Sequence, residues 1–196
     1  MLALLIAVAV FTGLALLVLR WAADDLADGG ALSAKAVVAS WLLYVFHADT
    51  VTSAAWISAL AVGVPRGAAL AVGGVVAVAG FTFFLSATLA LVRHGDLAGP
   101  RTRRLVTAGP YRLSRHPQNL GWGVMLLGIA VAGRSLVALA LVGMFVFFVE
   151  RYARLEERQM QQDFGVPYDE YRESTSAVLT LRGSVMTRDA ARARTP

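Results

Sequence analysis

Four long apolar runs, separated by short polar segments, constrain the fold of this chain more than any other feature. They cover residues 1–21, 36–64, 68–92 and 120–149. A membrane-spanning helix needs about 20 predominantly apolar residues, and no polar stretch between the runs is long enough to bury a core of its own. Charged residues make up only 16% of the chain, against about a quarter in a soluble domain. The sequence therefore predicts an all-α fold, a polytopic bundle of membrane helices.

The first run has a cleaved signal peptide as its alternative interpretation. A signal peptide carries a basic segment before the apolar stretch and a small-residue cleavage site after it. The run starts without a basic segment and ends in Arg20 and Trp21, with no clear cleavage site. We therefore predict a retained membrane helix, followed by a polar loop that contains Asp24, Asp25 and Asp28.

The fourth run is too long for one simple span and short for two, and a polar break at residues 133–135 divides it. Six arginines lie between residues 93 and 117 and eight after residue 150, together 14 of the 18 basic residues. The positive-inside rule places both segments in the cytoplasm, which requires a helical hairpin that turns at residues 132–135. This predicts about five membrane segments in the cell inner membrane, with the amino terminus outside and the carboxyl terminus inside.

The segment after the hairpin, from Arg151 to Arg172, is predicted to be an amphipathic cytoplasmic helix interrupted at Gly165, Val166 and Pro167. The chain then divides into three membrane helices (1–92), a catalytic region (93–182) and a disordered tail (183–196).

Composition excludes several classes of function. The chain has no cysteine, so disulfides, thiolate metal ligands and cysteine nucleophiles are ruled out. The three histidines, His47, His94 and His116, lack metal-ligand spacing, and no metal site is predicted. Nucleic-acid binding is not expected either, because no aromatic platform is interleaved with the arginines.

The basic loop before the hairpin contains the first candidate site, in the segment LVTAGPYRLSRHPQNLGWG (105–123). Arg115 can hold a carboxylate through two hydrogen bonds, and His116 can exchange a proton near neutral pH. Pro117 is suited to begin a helix, whose first N–H groups favour an anionic or zwitterionic ligand. Gly121 and Gly123 permit close approach by a ligand, or by another helix. The alternative for the basic residues is an anchor to anionic lipid.

Two adjacent carboxylates after the hairpin, Glu156 and Glu157, form the second candidate site. They follow the last apolar run by less than two helical turns and can return to the membrane face of Arg115 and His116. A carboxylate there can bind ribose hydroxyls or an ammonium group. The alternative is a solvated helix face stabilised by ion pairs with neighbouring arginines.

The third candidate is the polar cluster inside the second apolar run. His47 and Asp49 lie there beside Thr50, Thr52 and Ser53. Ionisable groups at membrane depth are costly and are usually functional or paired. A role in substrate binding and a buried polar pair are both open.

The segments LVTAGPYRLSRHPQNLGWG and EERQMQQDFGVPYDEYR, joined by the predicted hairpin, resemble the isoprenylcysteine carboxyl methyltransferase and phospholipid methyltransferase family of integral membrane enzymes. The resemblance covers residues 105–172, about a third of the chain. It implies an S-adenosylmethionine-dependent methyltransferase with the methyl donor bound at the cytoplasmic end of the hairpin. The methyl acceptor would be a lipidic or amphipathic small molecule that reaches the site from the membrane. Its reacting group would be a carboxylate, an amine or a thiol.

Carried onto this sequence, the resemblance implies catalytic roles for Arg115, His116 and Glu157. The implied cofactor site comprises Tyr111, Arg115, His116, Pro117, Asn119, Leu120, Gly121, Gly123, Glu156 and Glu157. Substrate contacts are expected from His47, Asp49, Tyr168, Tyr171 and Arg172. The chain departs from the family at Asn119, where members often have tyrosine.

Two other functions are compatible with this build. A membrane reductase of the steroid 5α-reductase type would use NADPH in place of the methyl donor. A small transporter or helical scaffold would place functional polar groups at mid-membrane, as His47 and Asp49 are in the sequence.

Overall fold

The computed structural model of the protein describes residues 2–29, 32–57, 63–94 and 104–178. These residues form six α-helices and one 3-10 turn, with no β-sheet among them, as the all-α prediction requires. The elements are α1 (Leu2–Gly29), α2 (Ala34–Ile57), α3 (Arg66–His94), the 3-10 turn (Gly109–Arg112), α4 (Pro117–Gly133), α5 (Leu136–Phe164) and α6 (Val166–Ser174). The predicted disordered tail, 183–196, lies outside the described residues.

Three of the helices, α1, α3 and α5, are long and apolar enough to cross a membrane. The other two long helices are less typical spans. Helix α2 contains Lys35, His47 and Asp49, and α4 has 17 residues, or about 26 Å at 1.5 Å per residue. Large apolar side chains of α1 and α3 point outward, among them Leu5, Val75 and Val78. This exposed apolar surface is the one that a lipid bilayer would cover.

Small residues bring α3 and α4 into backbone contact. Gly73 and Gly80 on α3 face Gly121 and Gly128 on α4, and all four are buried. A Cβ atom added to Gly73 would lie 2.6 Å from the carbonyl oxygen of Gly128, and one added to Gly80 would meet the amide nitrogen of Met125. Close packing of membrane helices through small residues is the expected use of such positions. Because the two glycines of each helix are seven residues apart, the close backbone contact between α3 and α4 extends over two turns.

The predicted hairpin is present and turns at two residues. Arg134 ends α4 in the left-handed conformation (φ 55°), and its guanidinium donates to the carbonyl of Val64 at 2.8 Å. Ser135 begins α5 because its Oγ accepts a hydrogen bond from the amide of Ala138 at 3.1 Å, the usual role of serine at a helix start.

Helix α5 does not end where its apolar residues end. It continues to Phe164 as one 29-residue helix, about 44 Å long, so the second arm of the hairpin and the predicted tail helix are continuous. The chain breaks at Gly165, whose φ of 55° favours glycine. The predicted interruption near this residue is therefore correct, and α6 begins directly after it at Val166.

Two predicted boundaries are wrong. The acidic residues Asp24, Asp25 and Asp28 belong to α1, which extends to Gly29, and not to a loop. Asp25 accepts a hydrogen bond from the amide of Ser33 at 2.8 Å, so an acidic side chain at the end of α1 holds the start of α2. The second helix was expected to reach residue 64, but residues 63 and 64 form a bend and are not helical.

Candidate functional site

The segment before α4 is held in place by backbone contacts with residues that follow α6. Ser114 is fully buried; its Oγ donates to the carbonyl of Ala177 at 2.9 Å and accepts from the amide of His116 at 3.1 Å. The amide of Arg115 donates to the carbonyl of Ser176 at 3.0 Å. Sequence reasoning missed these residues, because contacts with backbone carbonyls have no sequence signature.

The guanidinium of Arg115 binds Glu157 of α5. Its Nε and Nη2 lie 2.8 and 2.7 Å from the Oε1 atom of Glu157, and both side chains are mostly buried, with 12% and 20% exposed. The remaining nitrogen, Nη1, donates to the carbonyl of Thr175 at 2.6 Å and to that of Arg172 at 3.3 Å. Arg115 thus connects the start of α4 with the carboxyl-terminal half of α5 and the end of α6.

His116 bridges the two glutamates. Its Nε2 lies 3.2 Å from Oε1 of Glu157, and its Nδ1 lies 3.4 Å from Oε2 of Glu156. Burial alone would lower the pKa of His116, but the hydrogen bonds and negative charges of the two carboxylates raise it to about 9. The imidazole is therefore protonated at neutral pH and donates from both nitrogens. The cluster contains two cations and two carboxylates.

Three tyrosines of the predicted site pack together beneath Arg115. Tyr111, Tyr168 and Tyr171 are buried in one cluster with Val106, and the hydroxyl of Tyr171 donates to the carbonyl of Tyr111 at 2.6 Å. Burial and the nearby charge of Glu157 raise the pKa of Tyr168 to about 12. The structure thus places Tyr168 and Tyr171, expected as substrate contacts, in the packing that positions the cluster.

Arg172, expected as a third substrate contact, forms an ion pair of 3.5 Å with Asp169 on the surface of α6.

The residues in the first turns of α4 are engaged in packing and in a hydrogen bond to α2. Pro117 is buried at the first helical position, Leu120 is half-buried, and Asn119 accepts a hydrogen bond from the hydroxyl of Tyr44 at 2.8 Å. Gly121 packs against the backbone of α3, and Gly123 lies near the ring of Phe145. The two glycines expected in the cofactor pocket are thus used at least in part for helix contacts.

The two mid-membrane candidates do not come together. His47 is fully buried and its Nε2 lies 3.1 Å from the carbonyl oxygen of Leu141 on α5. Asp49 is exposed on α2. Thr50 and Thr52 donate to carbonyls of their own helix. Because Asp49 is exposed, it is not part of the buried polar pair that was one interpretation of this cluster.

Several polar groups of the cluster and of α4 have hydrogen-bonding capacity to spare. The side chain of Glu156 is 34% exposed and offers a carboxylate to hydroxyls or an ammonium. Among the described residues no side chain caps the start of α4, and the first amides of a helix have no partner within the helix and favour an anion. The indole nitrogen of Trp122, in the second turn, is buried and has no hydrogen-bond partner among the described residues. The same residues contain no cluster of three side chains able to hold a metal ion.

These features define a helical membrane protein with a cluster of charged side chains where a hairpin meets the polar end of its second helix. The sequence matches the phospholipid methyltransferase family over residues 68–166, just over half of the chain. The protein belongs to this family. The matched region includes α3, α4, α5 and the Arg115, His116 and Glu157 cluster, but neither α1 nor α2. No curated protein and no solved structure gives a significant match.

Proposed function

We propose that the protein is an integral membrane methyltransferase that uses S-adenosylmethionine and acts on a lipidic or amphipathic small molecule. One observation carries the proposal. Two charge pairs about forty positions apart, Arg115–His116 and Glu156–Glu157, meet at one end of the hairpin, inside the region that matches a methyltransferase family.

Glu156 is the residue that we assign to the cofactor, because its carboxylate is the more exposed of the two. It would accept hydrogen bonds from ribose hydroxyls or from the ammonium group. The first amides of α4 would bind the carboxylate of the cofactor. Arg115 is a positioning residue in this scheme, since Glu157 and backbone carbonyls already engage its nitrogens.

S-adenosylmethionine supplies an electrophilic methyl group, and the protein has to position the reactants and exclude water. His116 holds a proton between the two glutamates and is therefore not the group that removes one. A carboxylate or thiolate acceptor is already nucleophilic. An amine acceptor would need a base in addition.

We further propose that the site faces the cytoplasm of the cell inner membrane, with the amino terminus outside. The arginines near the site lie at the end of α3, before α4 and along the outer half of α5. The opposite tip of the hairpin carries only Arg134. This distribution follows the positive-inside rule. The catalytic region is then 93–182, and the three helices of 1–92 are its membrane scaffold.

Binding of S-adenosylhomocysteine to the purified protein, measured by calorimetry and thermal unfolding, tests the proposal. We expect stabilisation by this ligand and none by NADPH. The variant Glu156→Gln should bind it about 10- to 100-fold more weakly, as expected for loss of a charge-assisted hydrogen bond. The control Glu150→Gln changes an exposed carboxylate of the same helix that pairs with Arg154, and should bind normally. Stabilisation by NADPH alone would favour a reductase, and stabilisation by neither ligand a transporter or scaffold.

The acceptor is found by incubating the protein with labelled S-adenosylmethionine and a total lipid extract. Transfer of label into a lipid-soluble product is the expected result.

A further inference from the structure

A small cavity lies between α1, α2 and α5, next to the charged cluster but separate from it. Its volume is about 40 Å³, enough for a slender group such as an alkyl end but small for a whole lipid. Phe11, Ala15 and Val18 of α1 and Phe148 of α5 form apolar parts of its wall, and His47 of α2 is its most deeply buried polar residue. Most of this lining comes from helices that the family match does not cover, so the cavity is a candidate determinant of specificity in this particular chain.

The two ring nitrogens of His47 differ in their hydrogen bonding within the part of the chain that the structure describes. Its Nε2 lies 3.1 Å from the carbonyl oxygen of Leu141, and a carbonyl oxygen only accepts, so Nε2 carries the proton. The Nδ1 atom of the neutral ring is then a hydrogen-bond acceptor, and it is buried with no partner among the described residues. The imidazole ring lies between two phenylalanine rings, with its centroid 4.4 Å from that of Phe11 and 5.6 Å from that of Phe145. Because His47 lines the cavity, a ligand bound there would be the source of the donor that a buried acceptor calls for.

The other end of the cavity approaches the charged cluster. Tyr152 lines it, is hydrogen-bonded to Ser40 and lies one helical turn before Glu156 on α5. Tyr44, also in the lining, reaches Asn119 in the first turn of α4 at 2.8 Å. A molecule that extends from His47 past Tyr152 would thus point toward Glu156.

We propose that this cavity binds one end of an apolar chain that carries a hydrogen-bond donor, such as a hydroxyl or an amide N–H, and that His47 Nδ1 accepts from it. The ligand class is a single-chain amphiphile with an internal or terminal donor. This inference rests on the proposed function in one respect, namely that the bound amphiphile is the methyl acceptor. The binding itself needs no cofactor.

Two probes with the same alkyl chain, one with a donor and one without, test this assignment. The ether also carries one more methyl group, and the His47 variants separate the hydrogen bond from this difference in size. The protein is placed in lipid nanodiscs, and its thermal unfolding is measured with 1-dodecanol and with the methyl ether of the same alcohol. Both probes carry an oxygen, but only the alcohol donates. We expect the wild-type protein to bind the alcohol about fivefold more tightly, as expected for one net hydrogen bond. Equal binding of the two probes, or binding of neither, would overturn the proposal.

Variants at His47 locate the effect. His47→Leu should remove the preference for the alcohol, whereas His47→Gln retains an acceptor oxygen and should keep part of it. Thr50→Val is the matched control, because Thr50 is also buried on α2 but does not line the cavity. A preference that persists in His47→Leu would contradict the assignment. A wild-type protein that binds neither probe while His47→Leu is more stable would show that the cavity holds only structural water.

The failure of this inference can be told from failure of the proposed function. S-adenosylhomocysteine binding is measured on the same wild-type and His47→Leu samples and should be equal in both, because His47 is not part of the charged cluster. Loss of nucleoside binding in the wild type would refute methyl transfer without affecting the probe result.

Discussion

The proton held by His116 makes the stability of the charged cluster depend on pH in a predictable direction. The pKa of His116 is raised from 6.5 to about 9 in the folded protein. A group whose pKa is raised by folding stabilises the native state fully below its unfolded pKa, and this contribution is lost as the pH rises through the folded pKa. Each pKa unit corresponds to about 1.4 kcal/mol. The proton on His116 therefore stabilises the folded protein by about 3 kcal/mol below pH 6, by roughly half of that at pH 8 and by almost nothing at pH 10.

The assay compares thermal unfolding of the wild-type protein and of His116→Gln across this pH range in one detergent. The variant removes the titrating group, so the difference between the two proteins isolates its contribution from other alkaline effects. A contribution of about 3 kcal/mol corresponds to an unfolding-temperature difference on the order of 6–12 °C in a chain of this size. We expect that difference at pH 6 to shrink steadily toward pH 10.

Nuclear magnetic resonance of histidine-labelled protein gives an independent reading of the same pKa. The His116 resonance, assigned from its loss in His116→Gln, should titrate near pH 9. Titration near 6.5, or a stability difference that does not change between pH 6 and 10, would refute the reasoning that the two glutamates hold this proton.

Three further predictions concern thermal unfolding in detergent. Glu157→Ala leaves Arg115 and His116 without their shared carboxylate and should destabilise the folded protein by about 3 kcal/mol. Glu150→Ala, which removes an exposed carboxylate, is the control, and an equally small loss of stability in both variants would contradict the ion-pair geometry. Gly73→Ala should destabilise the folded protein, because its Cβ would meet the backbone of α4. At the neighbouring Gly74 an added Cβ meets nothing within 4 Å, so Gly74→Ala should stabilise the protein by up to about 1 kcal/mol. A change in stability of the same sign in both variants would count against the contact. Tyr171→Phe removes a 2.6 Å hydrogen bond and should cost about 1 kcal/mol, so an unchanged unfolding temperature would mean that this hydroxyl contributes nothing.

The hairpin was predictable because charge and backbone preferences agree at its turn. Arg134 and Ser135 interrupt an apolar run, and a serine favours the start of the next helix. The distribution of arginines then required the chain to return to the same side. This returning path is what predicted that Glu157 comes back to Arg115.

The helix ends and the support of the site were not predictable in the same way. Asp25 and its acidic neighbours have the composition of a loop, yet they belong to α1, and Asp25 accepts a hydrogen bond from the amide of Ser33, which precedes α2. Besides its ion pair with Glu157, Arg115 is fixed by the carbonyls of Thr175 and Ser176. Every residue has a carbonyl, so the sequence does not indicate which one is used.

The glycine contact between α3 and α4 allows only one alignment of the two helices along their length. Sliding α4 by one turn would move Gly121 and Gly128 out of register and push larger side chains into a gap that admits no Cβ. Because His116 directly precedes α4, its depth in the bilayer is set by the packing of α4 against α3. Lipid fluctuations that move one of these two helices would therefore move both together.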